Sequence, residues 1–412
     1  MMIILYFALA ICILDLYAYQ LVKFITTNKY LKALYIFITL ILAGFILYTF
    51  YNIKPKSGQN YTTLVASGLL LTFYLPKVWV LIFYFLEDIF RIIFGIFHIN
   101  KFSKLKSNPA KFFPKRFKLV HFTALLFSLV FFGLFAHGIL IGRYKYRVIK
   151  QDIYSDNLPE SFNGFKILQL SDMHLGSLDK PEKIAEAIKM INNQDFDVLV
   201  FTGDLVNSKA IEVDPWYNIL SKIKTPEFGK YAILGNHDYG DYVSFKNDKE
   251  KQDNFNAIKA AHTKLGYNLL LDSHQYLKSN KDSIALIGVE NWGYKFKQAG
   301  NLEKAVKGVN AKDFKILLSH DPSHFEQVIS KDHIFYDLTL SGHTHGFQFG
   351  IELDNGFQWS PVQYMYKYWA GLYQENKRYL YVNRGFGYHA YPGRVGIWPE
   401  ITVLTLKNQK IN

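Results

Sequence analysis

Seven side chains in the later part of this 412-residue chain are of types that hold metal ions: Asp172, His174, Asp204, Asn236, His320, His343 and His345. Each lies just after a short apolar run. Phe165-Lys166-Ile167-Leu168-Gln169-Leu170 leads into Ser171-Asp172-Met173-His174, and Asp197 through Phe201 ends at Thr202-Gly203-Asp204. Tyr231 through Leu234 precedes Gly235-Asn236-His237-Asp238, Ile316 through Ser319 precedes His320, and Leu338 through Ser341 precedes Gly342-His343-Thr344-His345-Gly346. Such runs read as buried strands. A lone Asp or His after a strand is ordinarily a cap or turn residue. Five strand ends with the same chemistry are harder to explain that way, because in layered α/β folds the loops at the strand ends converge on one cleft.

The donors are oxygen and imidazole, with no sulfur, a set suited to manganese, iron or zinc. One ion needs three or four of them, whereas two ions sharing a bridging carboxylate use all seven and leave positions for water. Two ions about 3.5 to 4 Å apart lower the pKa of a bridging water and neutralise charge during in-line displacement at phosphorus. The expected reaction is phosphoester hydrolysis.

The blocks D-x-H, G-D, G-N-H-D, a lone His after a strand and G-H-T-H, in this order, resemble the calcineurin-like metallophosphoesterase family over about residues 160 to 406. The resemblance implies an α/β fold in which a layered β-sandwich is flanked by helices. It also implies that Asp172, His174 and His345 hold a first metal, Asp204 bridges, and Asn236, His320 and His343 hold a second. His237 is similar to the family's non-ligand histidine, which steadies the transition state or protonates the leaving oxygen, with Asp238 as the residue to orient its imidazole. Gly164 through His174 and Tyr381-Val382-Asn383-Arg384-Gly385 look most like the membrane-associated branch, some of whose members resemble UDP-2,3-diacylglucosamine hydrolases. Gly346-Phe347-Gln348 departs from the second glycine of many relatives, which alters the expected pocket beside His345.

Stepping outward from the site, composition divides the chain near residue 150. Residues 1–150 carry 18 Lys+Arg against 3 Asp+Glu, and the remainder 29 against 31, so the net charge of +13 comes from the first part. A near-neutral second part lacks the basic face that nucleic acid demands, and no nucleic-acid partner is expected. The single cysteine, Cys12, excludes a disulfide within the chain. Apolar stretches at about 2–22, 33–51, 64–86 and 123–142 predict an all-α transmembrane bundle of about four helices in domain 1–150, followed by a catalytic domain over 151–412. The third is expected to be interrupted by Pro76 and Lys77. The first lacks the basic start and small-residue end of a cleavable signal and is expected to stay. The lysine-rich connection from Lys101 to Lys118 votes for the cytoplasm, which puts Lys54, Lys56 and the catalytic domain on the non-cytoplasmic side of a multi-pass membrane protein. Lys77, Glu87 and Asp88 are read either as a polar site within the membrane or as interfacial charges.

Arg384 and Arg394 are candidates for gripping substrate phosphate, a structural ion pair being the other reading. The aromatic stretch from Trp359 to Tyr373 is read as core packing or an apolar groove. Histidines outside the motifs, such as His262 and His324, carry no signal. The leading expectation is a membrane-anchored hydrolase of a phosphodiester or pyrophosphate, on a lipid-linked or nucleotide-containing substrate. The alternatives are a phosphomonoesterase and a non-catalytic membrane sensor.

Overall fold

A computed structural model describes residues 2–53, 56–97, 115–353 and 356–409. The chain forms two units, one of Met1–Lys54 with Tyr61–Ile139 and one of Pro55–Asn60 with Leu140–Asn412.

The first unit is helical: α1 (Met2–Ile25), α2 (Lys29–Tyr51), α3 (Tyr61–Leu69), α4 (Leu75–Phe97) and α5 (Lys118–Leu140). Asn28 starts α2 by accepting the N–H groups of Tyr30 and Leu31 on its side chain. Among the described residues three helical stretches, Met2–Ile25, Lys29–Tyr51 and Lys118–Tyr144, are long and apolar enough to cross a membrane. The helix expected over about 64–86, with Pro76 and Lys77 inside it, falls within a helical stretch from Tyr61 to Phe97. A π-helical turn, Leu70–Tyr74, joins α3 to α4, and Pro76 sits in the first turn of α4. A proline there costs little, because the irregular turn before it already breaks the regular bonding ladder. Lys77 pairs with Asp15 at 2.5 Å, and Arg116 reaches Glu87 at 2.9 Å and Asp88 at 2.8 Å. Lys77, Glu87 and Asp88 thus each have a partner of opposite sign. Of the expected basic connection, Lys101, Lys104, Lys106 and Lys111 lie outside the described residues, as does Lys54.

The second unit holds two six-stranded sheets. In the first, β1 (Arg147–Ser155) and β14 (Glu400–Asn408) pair in parallel, β14 runs antiparallel to β2 (Lys166–Leu170), and β3 (Val198–Phe201), β4 (Lys230–Ala232) and β5 (Tyr267–Leu269) continue in parallel. In the second, β6 (Ser273–Ser279) is antiparallel to β7 (Asp282–Gly288). Parallel β8 (Lys315–Leu318), β9 (Leu338–Ser341) and β13 (Arg378–Val382) follow, with β12 (Gly371–Glu375) antiparallel at the edge. The short hairpin β10 (Ile351–Glu352) and β11 (Gln358–Trp359) stands apart.

The sheets face each other, since Ile167, Val198 and Val200 share one buried cluster with Leu286, Ile316, Leu338 and Leu340. Burial on both faces explains why these strands read as continuous apolar runs. Gln169 ties the sheets together from inside, its Nε2 donating to the Ser341 carbonyl at 2.9 Å. Helix α6 (Pro181–Asn192) begins at Pro181, whose fixed φ suits a first helical turn, and buries Ile184, Ala187, Ile188 and Ile191 on one face.

Candidate metal centre

Strands β2, β3, β4, β8 and β9 all end at one place, and the loops beyond them turn sharply. Asp172, His174, Asp204, His343 and His345 adopt left-handed backbone angles, φ 51°, 46°, 59°, 72° and 50°. Residues with a Cβ rarely take this conformation, and it persists where the surroundings over-determine it, commonly at functional sites. Two glycines let the loops close in: a Cβ on Gly342 would lie 2.2 Å from Asp172 Oδ2, and one on Gly235 would lie 2.2 Å from Asp204 Oδ1.

Among the described residues, two clusters that include a carboxylate result, Asp172–His174–His345 and Asp204–His320–His343. Asp204 Oδ2 lies 3.6 Å from His174 Nε2 and 3.2 Å from His320 Nε2, and Asp172 Oδ1 lies 3.4 Å from His345 Nε2. Donors that share an ion at about 2.1 Å sit about 3 to 3.5 Å apart across its coordination sphere. Asn236, expected to serve the second ion, donates its Nδ2 to the Tyr242 hydroxyl at 2.7 Å, while its Oδ1 is buried without a hydrogen-bond partner. His345 Nε2 is likewise buried and unpartnered. Buried polar atoms are nearly always satisfied, so orphaned donor atoms among acids and imidazoles fit a divalent cation.

The electrostatics differ from group to group. Burial opposes charge on His320, but Asp204, and then Asp172, push its pKa up to about 10. Burial favours the neutral acid at Asp172 and raises it to about 7. Burial works against charge on Asp204 too, yet His320 and His237 hold it well below the usual carboxylate range. Burial, reinforced by neighbouring imidazoles at His174 and by Arg394 at His345, keeps both histidines well below their ordinary value and so neutral, the form that binds metal.

A layer of supporting groups, invisible in the motifs, orients these rings. His174 Nδ1–H donates to Asn207 Oδ1 at 3.1 Å and His320 Nδ1–H to the Thr202 carbonyl at 2.7 Å, leaving each Nε2 directed at Asp204. His237 donates its Nδ1–H to the carbonyl of Asn207 at 2.8 Å, so one residue orients two histidines. Asp238 does not perform the expected task. Its carboxylate accepts the backbone N–H groups of Asp204, Leu205, Val206 and Gly235, stapling the β3 loop to the β4 loop.

The reading of Arg384 and Arg394 as phosphate grips is also corrected. Arg384 is buried between Glu352 and Glu400, at 2.6 Å from each. Arg394 is fully buried and donates to the carbonyls of Arg384, Gly385 and Gly387, with Nη2 also 3.1 Å from His345 Nδ1. Both guanidiniums are committed to the protein. The aromatic stretch divides: Tyr368 and Trp369 are buried, Tyr364 is exposed, and the Tyr366 hydroxyl meets His343 Nε2 at 2.8 Å. His389 joins the site as well, stacked on His174 with ring centroids 4.8 Å apart. A lone histidine in a glycine-rich loop gave no sign of this.

A two-sheet α/β sandwich with carboxylates and imidazoles gathered at its strand ends defines a metal-dependent phosphoesterase. A model of the calcineurin-like phosphoesterase domain matches residues 165–347, and one described as the probable calcineurin-like phosphoesterase transmembrane domain matches residues 1–143. The uncharacterised metallophosphoesterase YkuE of Bacillus subtilis is 31% identical over 264 residues, which is 62% of this chain and 84% of YkuE. A transmembrane protein with metallophosphoesterase domain from Danio rerio is 28% identical over 82% of this chain and 73% of its own. An uncharacterised metallophosphoesterase of Helicobacter pylori J99 is 27% identical over 99% of this chain and 100% of its own. The chain belongs to the calcineurin-like metallophosphoesterase family, in the branch that joins the hydrolase domain to membrane helices.

Proposed function

We propose that this protein is a membrane-anchored, two-metal phosphoesterase that hydrolyses a phosphodiester or pyrophosphate bond with metal-activated water. The observation that carries the dinuclear reading is the place of Asp204: one carboxylate oxygen faces His174 Nε2 of one cluster and His320 Nε2 of the other. Asp172, His174 and His345 would hold the first ion and Asn236, His320 and His343 the second, with Asp204 shared. When bound, two such ions, of manganese, iron or zinc, would activate water at neutral pH and offset phosphoryl charge. His237, with Nδ1–H engaged by the Asn207 carbonyl, has Nε2 left for the leaving oxygen.

Two features support the finer points. Exposed apolar side chains follow the G-H-T-H motif closely, among them Phe347, Ile351, Phe357, Tyr364 and Met365, which suits a lipid-linked substrate or a membrane surface. Residues 56–60, which join α2 to α3, fold into the catalytic unit: Ser57 bridges Val243 and Gln59 Nε2 donates to Ser177 Oγ at 2.7 Å. That favours a common side of the membrane for this connection and the catalytic domain, opposite the lysine-rich 98–117 connection. By the positive-inside rule the catalytic domain is then non-cytoplasmic.

The test is hydrolysis of bis-(p-nitrophenyl) phosphate against p-nitrophenyl phosphate by the full-length protein in detergent. Faster turnover of the diester is expected. Faster turnover of the monoester would make the protein a phosphomonoesterase, and no turnover of either with metals bound would make it a sensor.

A further inference from the structure

With Arg384 and Arg394 committed elsewhere, an incoming phosphoryl group needs other donors on the His345 side of the site. His389 is well placed to be one. Ring nitrogens of His174, His237 and His389 lie within 4.8 Å of one another, and the His389 ring centroid is 4.6 Å from that of His237. This third cluster contains no carboxylate, unlike the two that share Asp172 and Asp204. His174 spends Nδ1 on Asn207, and its Nε2 faces Asp204. That leaves His237 and His389 as two imidazoles with no acid between them, too few to hold an ion of their own and suited to the oxygens of an anion.

The loop carrying His389 is firmly built. Gln348 Oε1 accepts the His389 N–H at 2.6 Å, and Gln348 Nε2 donates to the Tyr391 and Gly393 carbonyls at 2.7 and 2.9 Å. One side chain thus fixes three backbone groups of the loop. Gln348 is part of the Gly346-Phe347-Gln348 departure from the family pattern, so the departure has a structural task. Ala390 is held in a left-handed conformation, φ 61°, and its N–H donates to Gln59 Oε1 at 2.5 Å. A residue with a Cβ takes that conformation at a cost that the surroundings must offset. Meanwhile His389 Nδ1 is buried and has no hydrogen-bond partner, a state that native structures seldom leave without a purpose.

We propose that His389 is a further catalytic residue, pairing with His237 in a two-imidazole grip on the phosphoryl group, and that Gln348 is its positioning residue. The proposal rests on the phosphoesterase reading above. Full-length protein in detergent is compared with His389→Ala, His389→Gln and Gln348→Ala for metal content, kcat and KM on bis-(p-nitrophenyl) phosphate, and binding of inorganic phosphate by calorimetry. His389→Ala should keep the metal content of the wild type, lower kcat/KM about 10- to 100-fold and weaken phosphate binding about 10-fold. His389→Gln retains an N–H donor of similar reach and should recover part of the phosphate affinity, which a loss of packing alone would not allow. Gln348→Ala should move both quantities the same way by less. Unchanged kinetics and phosphate binding in His389→Ala would overturn the proposal, and loss of a metal from that variant would also overturn it by making His389 a ligand. A wild type that hydrolyses nothing would count against the phosphoesterase reading instead, with phosphate binding still deciding the role of His389.

Discussion

The membrane unit and the catalytic unit both bury charged side chains, and they arrange them in opposite ways. In the membrane unit each buried ion meets its opposite: Lys77 with Asp15, and Arg116 with Glu87 and Asp88. At the strand ends of the catalytic unit, Asp172 and Asp204 crowd together with imidazoles, and Asn236 Oδ1 and His345 Nε2 make no hydrogen bond. Paired charges satisfy one another and hold helices together. Acids and imidazoles left without a cation of their own hold a place for one, because an uncompensated buried charge is costly. Arg384 between Glu352 and Glu400 shows that the catalytic unit also contains the first kind, a short distance along the chain from the site.

Substitutions separate the two kinds. Asp204→Asn keeps size and removes the shared charge; it should lower kcat about a thousandfold and deplete metal, checked by elemental analysis beside a diester assay. Retained metal in that variant would erase the distinction drawn here. Arg384→Ala leaves Glu400 buried and unpaired and should destabilise the catalytic unit by about 3–5 kcal/mol. Thermal unfolding reads this loss, while KM of the surviving enzyme stays as it was. A selective rise in KM would return Arg384 to the substrate. Arg116→Ala should cost less, about 2–3 kcal/mol, because Asp88 still has Arg91 at 2.8 Å while Glu87 loses its only cation among the described residues. Metal content should not change.

The smallest effect concerns a third way to bury an ionisable group, which is to keep it neutral. His262 is fully buried with both ring nitrogens unpartnered, and burial lowers its pKa to about 3. A folded pKa below the unfolded value of about 6.5 means stability that is complete above pH 6.5 and is lost as the pH falls toward 3. By pH 5 the loss amounts to about 2 kcal/mol. Urea unfolding of chelated protein at pH 7 and pH 5 should find the wild type losing about 2 kcal/mol more over this interval than His262→Phe.

Much of the site was legible because its ligands follow fully buried strands, whose unbroken apolar runs contrast with the polar loops after them. Val198–Phe201 before Asp204 and Leu338–Ser341 before His343 are examples. What stayed hidden depends on choice of partner across the fold. Nothing local distinguishes an Asp238 that orients His237 from one that accepts four backbone N–H groups, or an Arg384 that meets phosphate from one that meets Glu400. Asn207 acts partly through its carbonyl, which every residue possesses. Nothing local to Pro76 showed that a π turn would come just before it.

The central claim is that two ions share Asp204, and anomalous diffraction from crystals of the full-length protein grown with manganese tests it most directly. The account predicts two peaks about 3.5 to 4 Å apart with the Asp204 carboxylate between them. A single peak, or two peaks with Asp204 bound to neither, would contradict it.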